Sequence, residues 1–110
     1  MSIIDNFEKM LAAGQDSALL RYSLGTSYQK EGRLDESLKH LSEAVRLDEN
    51  YSAAWKAYGK VLVEAGKLDD ALNVFIKGID VAEERGDIQA VKEMKVFLKR
   101  VRKQTHKDID

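Results

Sequence analysis

The chain has 110 residues, of which 44% are hydrophobic and 34% charged, with a formal net charge of -1. That length fits one domain, and the balance is too apolar for a disordered chain and too charged for a membrane-spanning one. Cysteine is absent, which excludes disulfides, thiol nucleophiles and Cys-ligated zinc. Proline is absent too, and the prevalence of Ala, Leu, Lys and Glu over β-branched runs predicts an all-α fold. The opening Met1-Ser2-Ile3-Ile4-Asp5 has neither the basic start nor the apolar run of a signal peptide. A cytoplasmic location is therefore the default expectation.

In chain order, the apolar spacing predicts a short helix over Ile3–Ala13, then one from about Asp16 or Ser17 to Glu31 and one over Asp35–Leu47. Two more follow, over Tyr51–Ala65 and Asp69–Glu84, and a last helix runs over Asp87–Arg102 or beyond. Leu34, Leu38, Leu41, Ala44 and Val45 keep to one helical face, as do Leu68, Leu72, Phe75 and Ile79. Gly32 and Gly66 read as helix stops, with Asp35 and Asp69 as N-caps of the helices that follow.

A shift of 34 residues lays Leu24-Gly25 on Tyr58-Gly59 and Gly32-Arg33-Leu34-Asp35 on Gly66-Lys67-Leu68-Asp69. It also lays Leu41 on Phe75 and Ala44 on Gly78. Gly25 and Gly59 lie inside helical patterns, where glycine costs about 1 kcal/mol relative to alanine. Their recurrence predicts helix crossings too close for a side chain. Phe7 lies 34 residues before Leu41, so Ile3–Ala13 reads as an unpaired helix of the second type in each unit.

These features resemble the tetratricopeptide repeat family. Its pattern asks for Trp, Leu-Gly, Tyr, Ala, Phe, Ala and Pro at set places. The first unit supplies Leu24, Gly25, Tyr28, Ser37, Leu41 and Ala44, and the second supplies Trp55, Tyr58, Gly59, Ala71, Phe75 and Gly78. Arg21 stands in place of the Trp, Leu62 in place of the Tyr, and Glu49 and Glu83 in place of the Pro. The resemblance implies an α-α superhelix of about six helices forming a single domain over 1–110. A capping helix over 1–15 precedes repeats over 18–51 and 52–85, and a capping helix over 87–106 follows. In the last helix Ala90, Met94, Phe97, Leu98 and Val101 fall on packing places if the preceding turn is two residues longer than standard.

The resemblance also implies a concave groove lined by the first helix of each unit, and a protein or peptide partner held in it. Carried over residue by residue, the groove takes Leu19, Tyr22, Ser23, Thr26, Gln29 and Lys30, then Ala53, Lys56, Ala57, Lys60, Val63 and Glu64. With the two-residue offset the last helix adds Gln89, Lys92, Glu93, Val96, Lys99 and Arg100. The candidate contacts are Tyr22, Thr26, Gln29, Lys30, Lys56, Lys60, Val63, Lys92, Lys99 and Arg100. Their excess of cations suits a segment bearing carboxylates, and equally suits an ordinary solvated surface. Some relatives hold a partner's terminal carboxylate with Lys, Asn, Asn, Lys and Arg. The matching places here hold Tyr22, Thr26, Ala57, Gln89 and Glu93, or Asp87 and Val91 for the last two without the offset, so that clamp is not expected.

Two other partner classes have weaker support. Residues 92–110 carry seven Lys/Arg against three Asp/Glu, and Lys92, Lys95, Lys99, Arg100, Arg102 and Lys103 could meet phosphates. Cations near a helix C-terminus are favoured anyway, and no aromatics interleave them to stack on bases. Ile3, Ile4 and Val96 could let the ends stack on a second copy. No run of about 20 apolar residues is present to span a membrane.

No catalytic or cofactor motif emerges. His40, with Glu36 and Glu43 one turn away, reads as a solvated surface histidine and not a zinc ligand, and His106 sits in a basic tail. Ser27-Tyr28-Gln29-Lys30 matches an S-x-x-K string without the rest of that signature. Gly59 and Gly66-Lys67 are spaced wrongly for a phosphate loop. The expectation is a non-catalytic scaffold or adaptor with no metal and no cofactor.

Overall fold

The computed structural model describes residues 2–106. Met1, residues 107–110 and the side chain of His106 lie outside the described residues, and with them the two ends of the expected 1–110 domain and the reading of His106. Six helices follow one another: α1 Ile3–Ala12, α2 Ala18–Lys30, α3 Leu34–Leu47, α4 Ser52–Glu64, α5 Leu68–Arg85 and α6 Ile88–His106. No strand occurs among the described residues.

Local chemistry fixes the ends of these helices. Ser2 and Asp5 form a reciprocal capping box at the start of α1, and the Ser17 hydroxyl accepts from the Leu20 N–H at 3.0 Å to start α2. α2 stops at Gly32, whose φ of +73° is the left-handed conformation that lets the Arg33 N–H reach back to the Tyr28 carbonyl. The expected aspartate caps are not used. Arg33 and Lys67 occupy the N-cap positions of α3 and α5 with no side-chain cap bond, and Asp35 and Asp69 lie two residues further in, within the first turn. The left-handed glycine lets the next helix begin almost at once, which carries the aspartates inside it. There they favour the helix N-terminus through its dipole.

Each helix pair is locked where bare backbone meets a large side chain. A Cβ on Gly25 would lie 2.5 Å from two atoms of Leu41, and one on Gly59 would strike the ring of Phe75. Leu24, Leu41 and Phe75 are wholly buried around these crossings; burying such a side chain contributes about 1.5–3 kcal/mol. The Ser37 hydroxyl donates to the Gly25 carbonyl at 2.6 Å, a bond the second pair replaces with buried Ala71. Gly78 of α5 makes room both for Trp55 of its partner α4 and for Met94 of the following α6.

α2, α4 and α6 neighbour one another along one side of the molecule, whereas α3 and α5 do not touch. The stack therefore curves, with α2, α4 and α6 on its concave side. Its radius of gyration is 14.5 Å, against about 13 Å for a compact chain of this length. α4 starts 34 residues after α2, and α6 starts 36 after α4. The two extra residues lie where α5 runs on to Arg85 before Gly86 stops it with a φ of +74°. In this register Ala90, Met94, Leu98 and Val101 are buried, Phe97 is half-buried, and Lys95 takes the place that Gly25 and Gly59 hold in α2 and α4. Lys95 is exposed.

Two sequence expectations are corrected by the packing. Ile4 is buried against α2, so only Ile3 and Val96 of the named end residues are exposed. His40 is not a solvated surface residue: it is 3% exposed. Its ring stacks on Tyr28 at 5.5 Å, and its Nδ1 lies 3.1 Å from the Arg21 guanidinium. Arginine only donates, so Nδ1 accepts and the ring proton sits on Nε2. Arg21 also grips both carboxylate oxygens of Asp16, at 2.8 and 3.0 Å. The Tyr28 hydroxyl donates to Glu8 at 2.6 Å, a bond that ties α1 to α2 and pushes the phenol up to about 12.

Gly59→Ala is expected to destabilise the protein by about 1–2 kcal/mol in chemical denaturation, because overpacking against Phe75 outweighs the roughly 1 kcal/mol gain in helix propensity. An unchanged or raised midpoint would show that the crossing is not tight. Burial holds the His40 imidazole below the usual histidine range, with Arg21 and Lys39 adding to the effect against Glu8 and Asp16. The unfolded chain therefore takes up the proton first. Stability from this group is full above about pH 6.5 and is lost as pH falls below it. The thermal midpoint is expected to drop from pH 7 to pH 5, and His40→Gln, which still accepts from Arg21, to flatten that drop.

Candidate functional site

The concave side brings together most of the residues predicted for it, but not as one cationic surface. On α2, Tyr22 is half-buried with its ring 5.1 Å from Tyr51, and it packs among Leu41, Ala44 and Ala54. The Thr26 hydroxyl donates to the Ser23 carbonyl at 3.2 Å. Gln29 donates to Glu64 of α4 at 2.6 Å, while Lys30 is exposed at the end of α2. Lys56 of α4 pairs with Glu93 of α6 at 3.3 Å. These two contacts link α2 to α4 and α4 to α6, and the second neutralises a lysine expected to face a ligand.

The open part of the face lies toward the C-terminal ends of α4 and α6. A cleft of about 260 Å³ is lined by Lys60, Val63, Glu64, Phe75, Phe97, Arg100, Val101 and Gln104. Its floor is apolar: Phe97 is half-buried and stands 5.7 Å from the buried ring of Phe75. Lys60 Nζ lies 5.4 Å and Arg100 Cζ 6.0 Å from the centre of the Phe97 ring. Of the predicted set, Lys60, Val63 and Arg100 meet here. Lys92 is exposed on α6, outside the cleft. Lys99 lies in a different groove, between α5 and α6, with Ile76, Ile79, Asp80, Lys95, Leu98 and Arg102.

Phe97 and Gln104 were not among the predicted contacts. The two-residue offset puts Phe97 on a packing place of the last helix, and the equivalent residue of α4, Val61, is wholly buried. A phenyl ring exceeds that space, and part of it opens into the cleft. The size mismatch between Val61 and Phe97 was the available signal. Gln104 lies beyond the repeat pattern, and no signal pointed to it.

Among the described residues no three His, Cys, Asp or Glu side chains gather as a metal site, and every buried side-chain nitrogen or oxygen has a hydrogen-bond partner. What the cleft offers is non-covalent: an apolar floor, two cations and a hydrogen-bonding rim. No described helix is long and apolar enough to cross a membrane.

The tetratricopeptide repeat family profile matches residues 16–84. A TPR repeat-containing protein of Pseudomonas aeruginosa is 43% identical over 99 residues, which cover 90% of this chain and 94% of that one. A protein from Bordetella parapertussis, solved in solution, is 40% identical and superposes with a TM-score of 0.82 over 96% of this chain and 92% of its own. The second TPR domain of human RPAP3, solved in complex with the HSP70 peptide SGPTIEEVD, is 25% identical with a TM-score of 0.68, covering 84% and 78%.

A double-mutant cycle on Lys56 and Glu93 is expected to give a coupling below about 1 kcal/mol that shrinks in high salt, since both side chains keep about a third of their exposure. A coupling of several kcal/mol, insensitive to salt, would contradict this.

Proposed function

Because the chain belongs to the tetratricopeptide repeat family, we propose that it is a non-catalytic interaction module that holds a protein or peptide segment along the concave side of α2, α4 and α6. The observation that carries this reading is the cleft between α4 and α6, where Val63 and Phe97 offer apolar contact beside Lys60 and Arg100. Such a mixture binds a chain segment by burial, with charge setting orientation and on-rate. The peptide complex of the RPAP3 domain supports the class of partner. The partner's carboxylates would meet a different set of residues from the Lys and Asn clamp of some relatives, whose places hold Tyr22, Thr26 and Ala57 here. A scaffold or adaptor role follows from the same reading.

Self-association is a second reading, favoured by an apolar patch at the N-terminal end. Ile3, Met10 and Leu19 are 59%, 40% and 64% exposed, and Phe7, Met10, Leu19 and Leu20 line a cleft there. Contact with nucleic acid through α6 has less support, because its cations are split between two grooves.

Immobilised protein is expected to retain specific partners from a lysate, and Lys60→Glu with Arg100→Glu, both at exposed residues, to lose them without changing the thermal midpoint. Retention of the same partners by that variant would move binding off this face. Light scattering at micromolar concentration gives a monomer mass under the first reading. Under the second it gives a concentration-dependent mass, abolished by Leu19→Asp.

A further inference from the structure

The cations of the concave side differ in what neutralises them. Lys56 has Glu93, whereas Lys60 and Arg100 have no ion pair among the described residues. Both lean on the half-buried Phe97, Lys60 Nζ at 5.4 Å and Arg100 Cζ at 6.0 Å from its ring centre. A cation over an aromatic face gains only about 0.5–1 kcal/mol at an exposed site, so most of their charge is left to act on a ligand. Glu64 is the one carboxylate lining the cleft, and it already accepts from Gln29 at 2.6 Å. The rim therefore presents two cations against one carboxylate.

Below the cations the cleft is apolar and small. Its volume of about 260 Å³ is under the range of about 300–1,000 Å³ that encloses a drug-sized ligand. It suits one inserted side chain, not a whole small molecule. The cations and the apolar floor lie within 5.4–6.0 Å of each other. In an extended chain, side chains two residues apart share a face at about 6.5 Å, while adjacent ones point to opposite faces.

Building on the reading of this face as a holder of polypeptide segments, we propose that the cleft is a specificity pocket for an extended apolar-x-acidic segment. One apolar side chain enters between Val63 and Phe97, and the carboxylate two residues away bridges Lys60 and Arg100. Charge complementarity selects the acidic residue, and the apolar floor rejects a segment that carries acid alone.

Randomised decapeptides displayed on phage and panned on the full chain test this. The expected consensus has Leu, Ile, Met or Phe separated by one residue from Asp or Glu. The synthesised consensus peptide should bind at least about tenfold more weakly to Lys60→Glu and to Arg100→Glu, within about twofold as well to Lys77→Glu on the outer face of α5, and more weakly as salt rises. All three residues are exposed, so circular dichroism should show unchanged folding. A consensus lacking the acidic residue, or affinity that survives both reversals, overturns the pocket. Amide shifts on α2, α4 and α6 with such a peptide would still leave the groove reading standing. Failure to enrich any sequence, or shifts confined to another face, removes both.

Discussion

The architecture depends on two places where a helix presents bare backbone to a large buried apolar side chain of its neighbour. At Gly25 the neighbour is Leu41 and at Gly59 it is Phe75. Dispersion and burial at such a crossing are strong because the helices come within reach of each other's backbone. A glycine inside a helix is locally unfavourable by about 1 kcal/mol, so the pairing energy must exceed that local loss. The same approach brings Ser37 within 2.6 Å of the Gly25 carbonyl. With the second pair fixed, α6 is seated against it where Gly78 admits Met94 beside Trp55. Curvature, and hence the concave side, is a consequence of these contacts.

The two pairs reach similar packing by different chemistry. Trp55 and Val74, which both pack against the core in the second, correspond to Arg21 and His40 in the first, where a polar pair stands instead. A buried polar group is tolerated only with its partners in place. Here the partners form a chain: Asp16 orients Arg21, Arg21 donates to His40, and His40 lies flat on Tyr28, which is held by Glu8. The arrangement accommodates Arg21 where the family pattern has Trp. It also makes the seating of α1 depend on charged groups.

Helix number and order were legible from the sequence, and the ends to within one or two residues, because left-handed glycines and apolar spacing are local signals. The 34-residue recurrence and the offset of the last helix were legible for the same reason. What escaped depended on contacts between helices. Polar neighbours on α3 gave His40 the pattern of a solvated residue, and nothing on α3 shows that Arg21 and Tyr28 cover it. Several of the named concave residues lie side by side, yet the pairing of Lys56 with Glu93 and the placement of Lys99 in the other groove are set by the angle between α4, α5 and α6. The protrusion of Phe97 depends on how much space α5 leaves beside Phe75.

Lys95 gives the array a direction. Where α2 and α4 offer glycine to the helix that follows, α6 offers a charged four-carbon side chain that is exposed. A helix seated there in the manner of α3 on α2 would have to displace a hydrated ammonium or cross at a greater distance. Concatenating two such chains end to end would therefore yield a hinge at the junction and not a continuous rod, unless glycine were restored at that one site.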